Sequence, residues 1–265
     1  MKGKLCFIAA VVCALWAVTG YAWDRYEESQ YFDQTFSVSG MARVSLENVN
    51  GDVHIEVWDQ AEVRVQAEKF ASSQELLDEL EIEVNASQDF VRIDTHYPNH
   101  RFFFGWLSFG KGERYRVEYT LTVPRGAELD SIDLVNGDLV VIGVQGGTEA
   151  ELVNGDIIAK DIGGNLRLST VNGSIRPEFE DMENVERIEL ESVNGKIRLI
   201  LPSWASASVR VETLNGSLQN DFGLEVHKHK YVGADMRGEI GGGDVDVNIE
   251  TVNGGIEIRQ SDRAK

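Results

Sequence analysis

The stretch VNGDI at residues 153–157 is the unit from which most of this chain is built. Asn-Gly occurs seven times in 265 residues, preceded six times by Val and once by Leu. Gly, and to a lesser degree Asn, adopts positive φ angles more easily than other residues, so we interpret each dipeptide as a structural turn. The seven turns are Asn50-Gly51, Asn136-Gly137, Asn154-Gly155, Asn172-Gly173, Asn194-Gly195, Asn215-Gly216 and Asn253-Gly254.

Other positions around each turn also keep their chemistry. The residue four before Asn and the residue three after it are apolar in all seven copies. The residue three before Asn is acidic in six copies, namely Glu47, Asp133, Glu151, Glu191, Glu212 and Glu250.

The turns from Asn136 onward follow one another at nearly regular steps. A fixed period of roughly 20 residues indicates a repeat array. The step from Asn215 to Asn253 is about twice the others, so MRGEI (236–240) is predicted to be a hidden eighth copy.

The repeats alternate apolar and polar residues with period two and are rich in Val and Ile, as in IELESVNGKIRLIL (188–201), which predicts strands. Asn-Gly between such runs fits a meander of hairpins. It also fits a β-solenoid in which each unit stacks on the next copy. The regular period favours an all-β, single-domain parallel β-solenoid of about eight rungs. Stacked corners would then let one Asn amide hydrogen-bond the next.

The part before the second turn departs from the repeat and predicts an elaborated N-terminal strand region. Two alternating strands are expected over 53–70, one short helix within 72–82 capped by Ser72 or Ser73, a hairpin over 81–97 and a strand over 113–124. We expect 23–38 to be a flexible leader, 39–260 to be the repeat domain and 261–265 to be a tail.

Residues 1–22 have the pattern of a secretory signal peptide. Lys2 and Lys4 precede a short apolar run, and Ala22 ends a stretch with small residues at the cleavage positions. Cleavage after Ala22 would remove Cys6 and Cys13, leaving a mature chain without thiols. The expected location is the periplasm or the cell surface of a bacterium.

Charge and motifs narrow the function classes. The formal net charge is −19, which disfavours nucleic acid as a partner because phosphate contacts need Lys and Arg. No nucleophile motif, zinc-protease motif or phosphate loop is present in the sequence. We therefore predict a non-enzymatic protein with no catalytic residues.

Together, the VNG and LNG units, the strand YTLTVP (119–124) with GAELDSIDLVNGDL (126–139) after it, and ETVNGGIEI (250–258) resemble the bacterial family known as putative adhesins. The resemblance spans roughly residues 39–260. It implies an envelope-located β-solenoid of unknown function, and it supplies no catalytic residues. The predicted role is an adhesin-like or scaffold protein whose partner is an unknown envelope protein or a polysaccharide. The alternative is a solenoid that binds or cleaves polysaccharide.

Stacked rungs would align the acidic positions in a row on the outer face. Like charges at that spacing repel, so the row invites Ca²⁺, a basic partner or interleaved Arg; a plain solvated surface is the alternative. Asp52, Asp138 and Asp156 would add a second row. Apart from Ca²⁺, no cofactor is expected. His227 and His229 would share a strand face, but the sequence offers no third ligand for a metal ion beside them.

The segment RFFFGWLSFGK (101–111) crowds aromatic residues between glycines and basic residues. An exposed apolar patch of this kind is typical of partner or peripheral membrane contact. The alternative is that the segment plugs an open end of the solenoid. The residues concerned are Phe102, Phe103, Phe104, Trp106 and Phe109.

Overall fold

The structure is a computed structural model and describes residues 28–97, 114–230 and 232–261. The N-terminal part contains β1 (Glu28–Ser37), β2 (Arg43–Asn50), β3 (Val53–Trp58), β4 (Glu62–Ala71), α1 (Gln74–Glu79), β5 (Glu81–Ala86), β6 (Phe90–His96) and β7 (Tyr115–Pro124). The repeat part begins with β8 (Glu128–Asn136), β9 (Leu139–Ile142), β10 (Thr148–Asn154), β11 (Ile157–Lys160), β12 (Leu166–Asn172), β13 (Ile175–Glu178), β14 (Arg187–Asn194) and β15 (Ile197–Leu201). It ends with β16 (Ala207–Asn215), β17 (Leu218–Asn220), β18 (Val226–Lys228), β19 (Ala234–Ile240), β20 (Val245–Asn253) and β21 (Ile256–Gln260).

The strands form two sheets that share one core. Sheet A has the order β1-β4-β7-β3-β9-β11-β13-β15-β21-β17, and sheet B has the order β18-β19-β16-β20-β14-β12-β10-β8-β2-β6-β5. Each Asn-Gly turn joins a strand of sheet B to a strand of sheet A, so the two strands beside a turn do not pair as a hairpin. The apolar positions on both sides of the turns face inward, as Leu168, Ile175 and Ile197 illustrate with no measurable exposure.

Equivalent repeat strands pair in parallel and in register, which confirms the all-β class. The register matches Asn136 with Asn154, Asn154 with Asn172, and Asn172 with Asn194. The sheets differ from the expected all-parallel solenoid because they are mixed and open. Antiparallel strands flank the parallel stack at both ends, for example β4 on β7 and β19 on β16. These flanking strands come from the segments whose sequence departs from the repeat.

The last repeat does not stack in chain order. Strand β20 lies between β14 and β16 and pairs in parallel with both, so Asn253 sits between Asn194 and Asn215. The segment MRGEI, predicted to be a hidden turn, instead lies in the straight strand β19, which runs antiparallel to β16. That prediction was wrong because Gly238 is used inside a strand and makes no corner. The long step from Asn215 to Asn253 provides the chain that runs out along β18 and β19 and returns.

Several N-terminal predictions are confirmed. Helix α1 begins after Ser73, whose hydroxyl accepts a hydrogen bond from the Leu76 amide at 3.4 Å. Strands β5 and β6 form the expected hairpin. The prediction of a flexible leader over 23–38 was wrong for 28–37. This stretch is β1, paired antiparallel with β4 along its whole length, and its Phe32 and Phe36 pack against the core.

The corner itself is held by a ladder of Asn side chains. Each amide nitrogen donates to the amide oxygen of the next rung at 2.8–2.9 Å, in the order Asn215, Asn253, Asn194, Asn172, Asn154, Asn136, Asn50. In six of the seven turns, all but that of Gly216, the glycine amide donates to the main-chain oxygen of a neighbouring Asn, as Gly155 does to Asn172 at 3.0 Å. Seven turns therefore form one continuous stack.

Positive φ explains the Asn-Gly preference in part only. None of the seven Asn residues has a positive φ, and among the glycines Gly51 (123°) and Gly137 (150°) lie clearly in that region. The stronger requirement is close approach. A Cβ at Gly195 would lie 1.7 Å from the Gly173 carbonyl oxygen, and a Cβ at Gly173 would lie 1.9 Å from that of Gly155. Glycine is needed because successive backbones touch at the corner.

Candidate functional site: the acid–valine face

The outward surface of sheet B carries two parallel columns, which we call the acid–valine face. The acid column contains the residues three before each Asn, in the spatial order Glu47, Asp133, Glu151, Ser169, Glu191, Glu250, Glu212. The valine column contains the residues just before each Asn, in the order Val49, Val135, Val153, Val171, Val193, Val252, Leu214. Neighbouring members of each column are one strand spacing apart, about 4.8 Å.

The acid column extends by one carboxylate at each end. Asp94 of β6 pairs in register with Glu47, and Asp235 of β19 pairs with Glu212. The predicted row therefore exists, with Ser169 as its central interruption and four carboxylates on either side.

An arginine bridges the terminal pair at each end of the column. Arg92 donates to Glu47 at 2.8 Å and to Asp94 at 3.0 Å. The hydrogen bond to Asp94, followed by the charges of Asp94 and Glu47, raises the pKa of Arg92 above its ordinary value. At the other end Arg237 donates to Glu212 at 2.7 Å and lies 3.7 Å from Asp235. At each end one arginine thus offsets part of the charge of two carboxylates.

The middle of the column has no such bridging arginine among the described residues. Glu151 and Glu191 make no hydrogen bond or ion pair with any described residue. Asp133 accepts from the Ser131 hydroxyl at 2.7 Å, and Glu250 accepts from the Asn248 amide at 3.2 Å. Four carboxylates therefore have no bridging cation among the described residues, although the charge of Asp133 acts on Arg92.

The valine column is the feature that sequence analysis missed. Val153, Val171, Val193 and Val252 are each 40% exposed and Leu214 is 51% exposed. The signal was present in the sequence, because the period-two alternation puts the residue before Asn on the same face as the acid two positions earlier. The turn motif accounts for the position of the Val in the repeat but not for the direction of its side chain.

Two grooves follow the valine column and meet at Ser169 and Val171. One, of about 570 Å³, is bounded at the end of the stack by His229 and Val232. The other, of about 750 Å³, is bounded by Thr95 near the end of β6 and by Tyr97 just after it. Tyr97 is fixed there because its hydroxyl donates to the Asn48 side chain at 2.6 Å. The face is therefore a trough with raised ends.

The second predicted acid row has a structural use. Asp52 accepts the Asp138 main-chain amide at 2.9 Å, Asp138 accepts that of Asp156 at 2.8 Å, and Asp156 accepts that of Ser174 at 2.6 Å. These carboxylates tie successive corners together.

Of the histidines and aromatic residues singled out in the sequence, His229 borders one end of this face, His227 lies on β18, and the aromatic candidates fall outside the described residues. His229 contacts Asp235 at 2.9 Å, and His227 is exposed on β18. Across residues 28–97, 114–230 and 232–261, no group of three or more His, Cys, Asp or Glu is arranged to hold a metal ion. The aromatic candidates Phe102, Phe103, Phe104, Trp106 and Phe109 lie outside the described residues. Within the described ranges, no helix has the length and apolar character needed to cross a membrane.

Several solved structures are similar to this chain. Among solved structures, the chain is similar to a putative cell adhesion protein from Clostridium sporogenes ATCC 15579, with 14% identity, a TM-score of 0.49, and coverage of 88% of this chain and 100% of that one. It is also similar to a putative adhesin from Bacteroides fragilis NCTC 9343, with 11% identity, a TM-score of 0.42, and coverage of 88% and 97%. A putative lipid binding protein from Parabacteroides distasonis ATCC 8503 shows 13% identity, a TM-score of 0.32, and coverage of 87% and 96%.

No curated protein sequence matches the chain. The model of the Toastrack DUF4097 family matches residues 131–259, which begin in β8 and end in β21. This is the segment in which parallel strands stack on the Asn-Gly ladder. Residues 131–259 therefore form a Toastrack DUF4097 domain, a β-rich repeat domain of unknown function.

Proposed function

We propose that this protein is an exported, non-enzymatic adhesin-like or scaffold protein of the bacterial envelope, and that it holds its partner on the acid–valine face. Residues 39–260 act as one solenoid-like unit in this proposal. The observation that carries it is the exposed valine column, because contiguous exposed apolar surface is typical of an interaction site.

Strand-forming preference alone does not account for the valine column. The outward positions of sheet A need β-strand formers equally. Of the seven residues four after Asn, two are apolar, Val140 and Ile158, and five are not, namely His54, Arg176, Arg198, Gln219 and Glu257. The residue before Asn is apolar in all seven rungs of sheet B. A purely structural requirement would be met by Thr or Arg, so the apolar choice points to binding.

A polysaccharide is the less favoured partner. The valine column, the acid column and the residues five before Asn carry no aromatic ring. Sugar rings are commonly stacked on aromatic side chains, while a valine and carboxylate surface fits a polypeptide with apolar and basic side chains better. A glycan array with a reducing-sugar assay tests the alternative, and saturable binding or cleavage that is lost on mutation of this face would favour it.

The decisive experiment places a photo-crosslinking amino acid at Ser169, the centre of the face, in cells of the native bacterium. We expect an adduct with an envelope component. The control position is Glu75 on helix α1, which is exposed and far from the columns in sequence. Crosslinking of equal yield at both positions, or none at Ser169, would refute the proposal.

Export is tested separately by N-terminal sequencing of protein taken from the periplasmic or surface fraction. The signal peptide, residues 1–22, lies outside the described residues. We expect the mature chain to begin at Trp23, as cleavage after Ala22 requires. Recovery of the chain with Met1 retained would contradict this part of the proposal.

Membrane contact through 101–111 remains a prediction. Liposome flotation with anionic vesicles should show association of the mature protein that Phe103→Ser/Trp106→Ser abolishes. Equal flotation of both proteins would argue against contact through this segment.

A further inference from the structure

The acid column is arranged as four pairs of carboxylates around Ser169. The two outer pairs, Asp94 with Glu47 and Glu212 with Asp235, are each bridged by one arginine of the protein. The two inner pairs are Asp133 with Glu151 and Glu191 with Glu250. The outer pairs show how this surface binds a guanidinium. The planar guanidinium has several N–H donors, so one arginine can reach two carboxylates on adjacent strands.

The inner pairs lack that arrangement although the chain uses it elsewhere. In the neighbouring outward column Arg167 lies between Glu149, at 3.6 Å, and Glu189, at 2.9 Å. No described arginine bridges an inner pair of the acid column, although the charge of Asp133 acts on Arg92. Like charges on adjacent strands repel each other and destabilise the sheet. A positively charged partner would relieve the repulsion among these four carboxylates.

The valine column defines the shape of what can bind. On their strands, Val153, Val171 and Val193 lie two residues after Glu151, Ser169 and Glu191, and therefore on the same face. The valine column thus lies beside the acid column, and the surface is bounded at one end by Val232 and at the other by Tyr97. A trough lined by two parallel columns fits an extended chain lying across the strands.

We propose, on the basis of the function proposed above, that this trough binds an extended polypeptide segment of a partner protein carrying two arginines four residues apart, with apolar residues between and beside them. The midpoints of the inner pairs are three rungs apart, about 14 Å. Four residues of extended chain span about 13 Å, and both side chains then point to the same side. Each arginine bridges one inner pair, and the apolar side chains contact Val153, Val171 and Val193.

The probe is the peptide GSVRVSVRVSG, titrated into the mature chain by isothermal titration calorimetry at about 50 mM NaCl. The matched peptide GSVVRRVSVSG has the same composition with adjacent arginines. We expect the adjacent arrangement to bind at least about fivefold more weakly, because one of its arginines cannot reach an inner pair. The affinity should also fall steeply between about 50 and 300 mM NaCl, since the contacts lie on the surface.

The protein variants separate this site from general attraction to an acidic surface. Glu151→Gln/Glu191→Gln should weaken the probe at least about tenfold, and Val171→Ser/Val193→Ser should weaken it without a change in charge. The control Glu75→Gln/Glu79→Gln removes the same charge from helix α1 and should leave the affinity within about twofold. Circular dichroism melting checks that each variant is folded.

Equal affinity for both peptides, or equal loss in the two glutamate variants, would overturn the inference and leave non-specific charge attraction. Calcium bound at Glu151 and Glu191 in a CaCl₂ titration, with no peptide binding, would also overturn it and favour a cation row. A crosslinked envelope component at Ser169 together with no peptide binding would remove this inference while the proposed function stands. Probe binding without a crosslink at Ser169 would refute the proposed function, while the affinity of the trough for the peptide would stand.

Discussion

At the scale of single residues, the corner of each rung is a contact between two main chains. The buried hydroxyls beneath the corner follow from the same contact. Thr170, Ser192, Thr213 and Thr251 each donate to a glycine carbonyl of the neighbouring rung at 3.0–3.4 Å. These carbonyls would otherwise lack a side-chain partner in a buried place, so the hydroxyls stabilise the close approach.

Gly195→Ala should destabilise the fold by about 3 kcal/mol, because its Cβ would overlap the Gly173 carbonyl oxygen and the stacked main chains cannot move apart without breaking the ladder. Urea denaturation measures the loss. Gly40→Ala is the control, since nothing lies within 4 Å of a Cβ there, and it should change the free energy of unfolding by less than about 0.5 kcal/mol. Similar losses in both variants would show that close approach is not the reason for glycine.

A second residue-scale prediction concerns Glu257 on β21. It is 9% exposed and lies in ion pairs with Lys196, with Arg198 at 2.8 Å and with Arg259 at 3.4 Å. The Lys196 contact, opposed by burial and supported by the two arginines, lowers the pKa of Glu257 to about 2.

Because the folded pKa is below the unfolded value of about 4.3, the carboxylate stabilises the fold above that pH and the contribution is lost as the pH falls towards about 2. Glu257→Gln should therefore lower the free energy of unfolding at pH 7, and the difference from wild type should shrink between about pH 4.5 and 2.5. Chemical denaturation across this range measures it. A difference that stays constant down to pH 2.5 would contradict the assignment.

At the scale of elements, the C-terminal pair β20 and β21 holds an interior place. β20 joins β14 to β16 in sheet B, and β21 joins β15 to β17 in sheet A. The final repeat is thus inserted between two earlier ones, so the parallel stack is complete after the whole chain has been made.

Truncation after Gly243 should abolish cooperative unfolding, because it removes an interior strand from each sheet and leaves unpaired edges next to the core. Removal of 28–37 is the matched control, since β1 is an edge strand with one neighbour. It should leave a cooperative transition at a lower melting temperature. Circular dichroism melting distinguishes the two variants. If the truncated protein kept a cooperative transition and its melting temperature fell no more than that of the control, β14 would be able to pair directly with β16.

At the scale of the whole molecule, the acid column adds to a net charge of −19. Stacking brings together carboxylates that lie far apart in the sequence, such as Glu191 and Glu250. Self-repulsion of this kind opposes the compact state and is screened by salt.

The melting temperature should therefore rise when NaCl increases from about 20 to 300 mM. Glu151→Gln/Glu191→Gln should melt higher than wild type at low salt and show a smaller rise, while Glu75→Gln/Glu79→Gln should keep the larger part of the salt dependence. Differential scanning calorimetry measures these shifts. A wild-type melting temperature independent of salt would mean that the column is already neutralised.

Much of the fold was predictable from local chemistry. The alternation in 188–201 indicated strands, Ser73 marked the start of α1, and the constant columns around Asn154 and Asn172 indicated stacking in register. The antiparallel strands at the ends and the place of β20 were not predictable, because they depend on which edges are left unpaired once the regular rungs have stacked. MRGEI shows the same limit: its resemblance to the motif is local, whereas its pairing with β16 is set by the surrounding strands.

For the candidate site, the sequence by itself determined the acid column, since a repeated position in a stacked strand must form a row. It also fixed the direction of the valines through the two-residue period. The tertiary structure alone decided that Arg92 and Arg237 bridge the ends and that Asp133, Glu151, Glu191 and Glu250 stay open. Ion pairs across strands depend on which distant side chains the sheet order brings within about 4 Å, and that order is set by packing of the whole chain.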